Sequence, residues 1–355
     1  MSEGIRKTVW HVVRLLVMAA LVAYVVGQAQ WDDEVSSDGA HTEGIKSIAL
    51  RLADRWGWVA AALAVMMLQS PIGAVRWRLL LGVQGIHITF LESLRLTYIG
   101  WFFNNWLPGG TGGDFVKAYY IAARTHQKAE AVTVVFLDRL VGLVAMCLLG
   151  AAAVAFSWAD ERVRVAQILI GVFLAAVLAA AVVFYSRRLR NAIGAGRLLA
   201  HLPVAATVAR VERALFIYRY HQAKVALALV YSWATQGVAL LAMWWLAMSL
   251  GSHAAWSHYF VTMPVVWIGW SLVPVPGGFG VAETLVQKLF TPAVLGGTVP
   301  LPAAEAATLT LAMMLAYRLV QMLVTLPGAV LYLARRTGVS PTHMREELEA
   351  GTPPA

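Results

Sequence analysis

The chain has 355 residues, 59% hydrophobic and only 13% charged, with a mean hydropathy of +0.67; a soluble domain carries about one quarter charged residues. A chain this apolar cannot cover its own surface with polar groups, which excludes a soluble enzyme, a disordered chain and a nucleic-acid module despite a pI near 9.8. The net charge of +9 is therefore read by position along a polytopic membrane protein, and the single Cys147, inside an apolar run, offers no disulfide, zinc site or thiol pair.

A spanning helix needs about 20 mostly apolar residues. The first such segment is 9–26; no small-residue cleavage site follows it, so it reads as an uncleaved anchor rather than a signal peptide. An acidic loop holding Asp32, Asp33, Glu34, Asp38 and Glu43 comes next, then a second span at 58–75 followed by Arg76 and Arg78. The apolar stretch that follows is broken: 97–107 runs into Pro108-Gly109-Gly110-Thr111-Gly112-Gly113-Asp114 and resumes as 115–123. Uninterrupted spans return at 133–158 and 163–185, before a basic cluster of Arg187, Arg188, Arg190 and Arg197. Segment 204–222 has helical apolar spacing with Arg210, Arg213 and Arg219, which suits either a helix lying on anionic headgroups or a solvated linker helix. A fifth span lies at 225–250, and a second broken stretch follows: 260–275, then Pro276-Gly277-Gly278-Phe279-Gly280, then 281–290. The sixth span, 309–333, is apolar apart from Arg318, and a polar tail closes the chain. The segments divide as 1–56 (anchor and acidic loop), 57–186 (first half), 187–223 (basic linker), 224–334 (second half) and 335–355 (tail).

Loop charges set the orientation. Arg6, Lys7 and Arg14 precede or begin the first span, the acidic loop follows it, and basic clusters recur after the second, fourth and sixth, which places both termini in the cytoplasm. The first break is flanked by Arg76, Arg78 and Arg95 before it and by Arg124, His126 and Lys128 after it, so it is expected to enter and leave on the cytoplasmic side. The second is flanked by the uncharged loops 251–257 and 291–302, expected outside. Proline removes a helical N–H donor and successive glycines make helix costly. Backbone freed in this way is tolerated at membrane depth only where protein or water surrounds it. Each break is therefore expected to be the tip of a re-entrant hairpin, with hairpins at 97–123 and 260–290 forming an inverted repeat around a polar site. The alternative is that each break joins two short full spans or a pair of stubs outside the membrane. The expected fold class is thus an all-α polytopic membrane protein with about six full transmembrane helices and two re-entrant hairpins.

Arg76-Trp77-Arg78, the Pro108–Asp114 run leading into Lys117, Leu137-Asp138-Arg139-Leu140 and the Pro276–Glu283 run together resemble the flippase-like membrane domain of lysylphosphatidylglycerol synthases, including its stand-alone relatives. The resemblance spans the chain from about the second helix onward, and the glycine runs are its specific part. In two-domain members of that family a soluble domain transfers lysine to phosphatidylglycerol and the membrane domain moves the product between leaflets. Only about twenty residues follow Leu333 here, too few for a catalytic domain. The resemblance therefore implies lipid translocation in an inner membrane, without synthase activity and without a named lipid.

Ionisable residues within spans are costly and mark cavities or partners. Each half offers a glycine run, then a carboxylate (Asp114, Glu283), then an intramembrane arginine on the next helix (Arg139, Arg318). One reading is a central substrate site: the two arginines hold a lipid phosphate, aided by backbone N–H groups at Gly109, Gly110, Gly112, Gly113, Gly277, Gly278 and Gly280, while Asp114 and Glu283 take a cationic headgroup or a coupling proton. The other makes Asp114–Arg139 and Glu283–Arg318 structural ion pairs; one site can be both. Lys117 reaches either a phosphate or, by snorkelling, the cytoplasmic headgroups. Asp138 points to a different helix face from Arg139 and reads as an orienting or interfacial residue. Asn104 and Asn105 are placed to bond freed carbonyls, in preference to a substrate; Arg76 and Arg78 read as topology determinants, and the 14 Trp mainly as interfacial anchors. No nucleophile elbow, His-Glu zinc motif or phosphate-cradling Gly-Lys-Ser/Thr run occurs, so no catalytic residue, metal or cofactor is expected. The expected function is a lipid translocase whose partners are membrane lipids, phospholipid or lipid-linked, and not nucleic acid. The alternatives are a non-catalytic membrane partner of a separate lipid- or glycan-modifying transferase, and an intramembrane headgroup transferase.

Overall fold

The computed structural model describes residues 31–35, 41–42, 44–106, 112–125, 128–185, 217–272 and 280–334, with Ala23 and Gly27. The protein is an all-α polytopic membrane protein. Among the described residues five helical segments are long and apolar enough to cross a bilayer: Trp56–Val83, Glu130–Ser157, Glu161–Ala180, Gln222–Leu250 and Ala303–Ala334. They match five of the six predicted spans; the predicted span 9–26, Ala23 apart, lies outside the described residues, as do most of the predicted linker helix 204–222 and the tail.

The helices are α1 (Ile45–Asp54), α2 (Trp56–Met67), α3 (Gln69–Val83), α4 (Phe90–Trp106), α5 (Gly112–Thr125), α6 (Lys128–Ser157), α7 (Arg164–Tyr185), α8 (Gln222–Leu250), α9 (Trp256–Leu272), α10 (Val281–Leu289), α11 (Pro292–Leu295) and α12 (Ala303–Ala334). Helices α2 and α3 are separated only at Leu68 and act as one span. A two-residue antiparallel ladder, β1 (Glu34–Val35) with β2 (His41–Thr42), closes the acidic loop. Its neighbours hold it to α1: the Lys46 ammonium lies 2.6 Å from Asp32, and Asp33 accepts from the Gly44 N–H and the Ser47 hydroxyl.

Polar side chains show how the spans run. Arg51 donates to the Leu250 carbonyl, Arg55 to that of Ser249, Gln69 to that of Thr235, Arg76 to the Ser232 hydroxyl, and Tyr218 to the Leu80 carbonyl. Residue numbers fall on one side as they rise on the other, so α2–α3 and α8 are antiparallel. The same holds for α6 and α8, where Trp233 donates to the Ala145 carbonyl and Gln236 to that of Gly142. Each of these bonds gives a polar side chain a partner inside an apolar bundle, where an unpaired group is expensive. Arg51 and Arg55 also satisfy the last carbonyls of α8, which ends on Gly251 at φ 105.

One end of the bundle gathers the acidic loop, the turn 158–163, the segment 251–255 and the loop 296–301: His258 meets Asp160, Arg162 donates to the Gly297 carbonyl, and the His253 N–H donates to the Leu295 carbonyl. The opposite end gathers the start of α6, Tyr218, the start of α8 and the turn holding Ile86 and Ile88, which share one buried cluster. Helices α4 and α5 pack against each other as a hairpin whose open side faces this second end. Helices α9 and α10 form a hairpin that opens toward the first. The packing is reciprocal: α4 lies on α12, the span after the second hairpin, and α9 lies on α6, the span after the first. Ring contact between Phe156 and Trp256, 5.2 Å between centroids, marks the α6–α9 seam.

The hairpin arms begin earlier than apolarity alone predicts, at Phe90 rather than 97 and at Trp256 rather than 260. Polar residues such as Glu92, Arg95 and Ser257 are acceptable where the arm starts at an end of the bundle, so hydropathy underestimates the helix. Each first arm has 17 residues, about 25 Å at 1.5 Å rise per residue, short of a hydrocarbon core about 30 Å thick.

Glycines make the closest contacts. A β-carbon on Gly113 would lie 1.7 Å from the Gly100 carbonyl oxygen, so the two arms of the first hairpin meet backbone to backbone. One on Gly328 would lie 2.1 Å from the Tyr98 carbonyl oxygen, where α12 crosses α4. Gly328→Ala is therefore expected to lower the unfolding midpoint in detergent, by the equivalent of about 1–3 kcal/mol of overpacking. Gly82→Ala, at a helical position with no atom within 4 Å of the added carbon, is expected to leave the midpoint unchanged or slightly raised. Equal behaviour of the two variants would show that the α4–α12 crossing is not close-packed.

Candidate functional site

Both expected ion pairs form, each at the start of the second arm of a hairpin. Asp114 stands in the first turn of α5, where a negative charge suits the helix N-terminus. Its Oδ2 is 2.6 Å from Arg139 Nε and 2.5 Å from Arg139 Nη2, and Lys117 Nζ lies 3.4 Å from its Oδ1. The preceding N–H, that of Gly113, donates to Asn104 Oδ1 at 2.9 Å. In the second half Gly280, at φ 81, begins the turn into α10. Its N–H donates to Glu283 Oε2 at 2.7 Å, while Arg318 Nε donates to Glu283 Oε1 at 2.6 Å. One carboxylate thus caps its own half-helix and anchors the following span. An aromatic face backs a cation in each half: Trp77 lies 5.0 Å from Lys117 Nζ and Trp270 lies 5.7 Å from the Arg318 guanidinium carbon.

The two halves are not equivalent. The Arg318 side chain is 8% exposed and that of Glu283 6%, so this pair is sealed. Arg139 is 44% exposed although its partner Asp114 is only 10% exposed. The first half also has two cations, Lys117 and Arg139, around one carboxylate, whereas the second has one around one. Among the described residues the first half thus sets two cations against one carboxylate, and one of them is a planar donor group that is 44% exposed, the type of group that recognises phosphate or carboxylate oxygens.

Of the other expected site residues, Gly112 opens α5 and Gly113 makes the close approach to Gly100. Gly109, Gly110, Gly277 and Gly278 lie outside the described residues. One expectation, for Asn104, is corrected and three others are refined. Lys117 does not snorkel: its side chain is 4% exposed, held between Asp114 and Trp77. Asn104 bonds a freed N–H rather than a carbonyl, and Asn105 donates to the Thr325 hydroxyl on α12. Trp77 is buried rather than interfacial. Arg76 is not simply a topology signal: its guanidinium lies 2.9 Å from Asp138 and 2.9 Å from the Ser232 hydroxyl, joining α3, α6 and α8 in a part-buried junction. The sequence carries a cue for that junction. Asp138 and Arg139 are adjacent on one helix and point about 100° apart, so each needs a partner on a different helix.

The profile of the family described as the lysylphosphatidylglycerol synthase TM region matches residues 11–328. A UPF0104 membrane protein of Pyrococcus horikoshii is 22% identical over 271 residues, covering 69% of this chain and 80% of that one. Since the match takes in both hairpins and both ion pairs, the chain belongs to the lysylphosphatidylglycerol synthase transmembrane-region family.

Proposed function

We propose that the protein is a lipid translocase, not an enzyme, which moves a phospholipid or lipid-linked substrate between the leaflets of a cell inner membrane. The observation that supports this reading most directly is the cluster Asp114–Lys117–Arg139: buried charge with a positive surplus, at a broken hairpin, ending in a guanidinium that is 44% exposed. A charged headgroup crosses hydrocarbon at low cost only where fixed opposite charge replaces its hydration. In this reading Arg139 and Lys117 receive the headgroup phosphate, and the sealed Glu283–Arg318 pair holds the second hairpin against α12. Both hairpins are re-entrant and both termini are cytoplasmic, with the end bearing the acidic loop outside. Membrane lipids are the partners, and a separate transferase would supply any modified lipid.

The orientation is tested with single cysteines in a Cys147-free background. Cysteine at Thr125 or Ser340 should be shielded from an impermeant thiol reagent in intact cells, and cysteine at Ser36 should label. Labelling at Thr125 with protection at Ser340 would mean that the first hairpin crosses the membrane.

The ion pairs are tested on purified variants for stability in detergent and lipid exchange in vesicles. Arg318→Leu alone strands a buried carboxylate and should cost about 3–5 kcal/mol; adding Glu283→Gln should recover most of it. The pair Asp114→Asn with Arg139→Leu should fold yet exchange no lipid, and Arg139→Lys should keep part of the rate, because ammonium retains the charge but not the planar fork. Full exchange in the Asp114–Arg139 double variant would sink the phosphate-site reading.

A further inference from the structure

A second polar cluster lies far from the hairpin breaks, at the end of the bundle that carries the acidic loop. A cleft there has two lobes of about 510 Å³ and about 490 Å³, which share Arg162, Ala255 and His258. Three segments wall it: the turn after α6 with Asp160 and Arg162, the lead into α9 with His253 and, in its first turn, Ser257, and the loop before α12 with Gly297 and Thr298. Asp160 is the carboxylate that lines it, and its lone pairs are already taken. Its Oδ1 accepts from the Arg162 N–H and Nε at 3.1 and 2.8 Å, and its Oδ2 accepts from Arg162 Nη2 at 2.6 Å and meets His258 Nε2 at 2.7 Å. Those Arg162 bonds, then His258, hold the Asp160 carboxyl well below the usual carboxylate range.

What remains for a ligand is therefore mostly donors. Arg162 keeps one N–H on Nη2, and one on Nη1 beyond that given to the Gly297 carbonyl at 2.5 Å. The exposed His253 ring and the Ser257 and Thr298 hydroxyls line the same cleft, and the positive end of the 17-residue α9 opens beside it. His258 is buried with its Nε2 against Asp160, so it positions that carboxylate rather than facing the ligand. The nearby Glu161 and Arg164 neutralise each other in an ion pair. Donors placed on three sides of one opening suit a tetrahedral oxyanion, whose oxygens point in different directions, better than a planar one.

We propose that this cleft is a binding site for a phosphate group, separate from the central ion pairs and independent of whether the protein transports lipid. The phosphate belongs either to a lipid headgroup or to free phosphate. The test is isothermal titration of the full chain in maltoside micelles, which contain no phosphate, with inorganic phosphate in one arm and dihexanoyl phosphatidylglycerol below its micelle concentration in the other. Saturable binding is expected in at least one arm; tighter binding of the lipid assigns a headgroup, and tighter binding of the ion assigns free phosphate. Arg162→Gln and His253→Ala should each weaken that binding by about tenfold, the equivalent of one charge-assisted hydrogen bond. His253→Ala removes an exposed ring, and an unchanged unfolding midpoint checks that its effect does not arise from misfolding. Absence of binding in both arms, or binding unchanged in folded His253→Ala and in folded Arg162→Gln, would overturn the proposal.

Discussion

A helix broken inside a membrane leaves N–H and C=O groups that water cannot reach, and the arrangement of the central region follows from satisfying them. Each break is answered by a side chain from close by. Asn104 takes the Gly113 N–H, and Glu283 takes the Gly280 N–H. The groups that do so are polar or charged, so they in turn need partners. Glu283 is met by Arg318 from α12, and Asp114, one residue past Gly113, by Arg139 from α6. The partners come from the span that follows each hairpin, which is also why α5 packs on α6 and α10 on α12. Backbone chemistry thus dictates the charges, and the charges dictate which helices are neighbours.

The two halves solve this problem with the same plan and different outcomes. In the second half the carboxylate caps the helix itself, so both its oxygens are committed and its arginine is sealed. In the first half the cap is delegated to Asn104, which leaves Asp114 free to gather two cations and leaves one of them reachable. Divergence of one carboxylate's hydrogen bonds leaves one pair sealed and gives the other a guanidinium that is almost half exposed.

Much of this plan was legible from residue order. The glycine runs, the carboxylate after each and the arginine on the following helix located both ion pairs, because such residues have few reasons to occur at membrane depth. Hydropathy found the five described spans within a few residues at their polar ends and shortened the hairpin arms. What it missed has a common cause. Trp77, Arg76 and Ser232 are buried or bonded where three helices meet, and hydropathy scores each residue alone, so a buried arginine looks like a loop charge and a buried tryptophan like an interfacial anchor. The cleft at the acidic-loop end was equally invisible, because Asp160, His253 and Gly297 come together only when loops from both halves meet.

The adjacent charges Asp138 and Arg139 have a mechanical consequence. One side chain is fastened to Arg76 on α3 and the other to Asp114 on α5, along directions separated by about 100° around the axis of α6. Two such tethers, in directions about 100° apart, fix α6 against both neighbours: turning it, sliding it along its axis or tilting it each stretches at least one of them. Any rearrangement of this bundle that keeps its ion pairs must therefore carry α6 with the first hairpin and α3 travelling alongside as a single stiff panel.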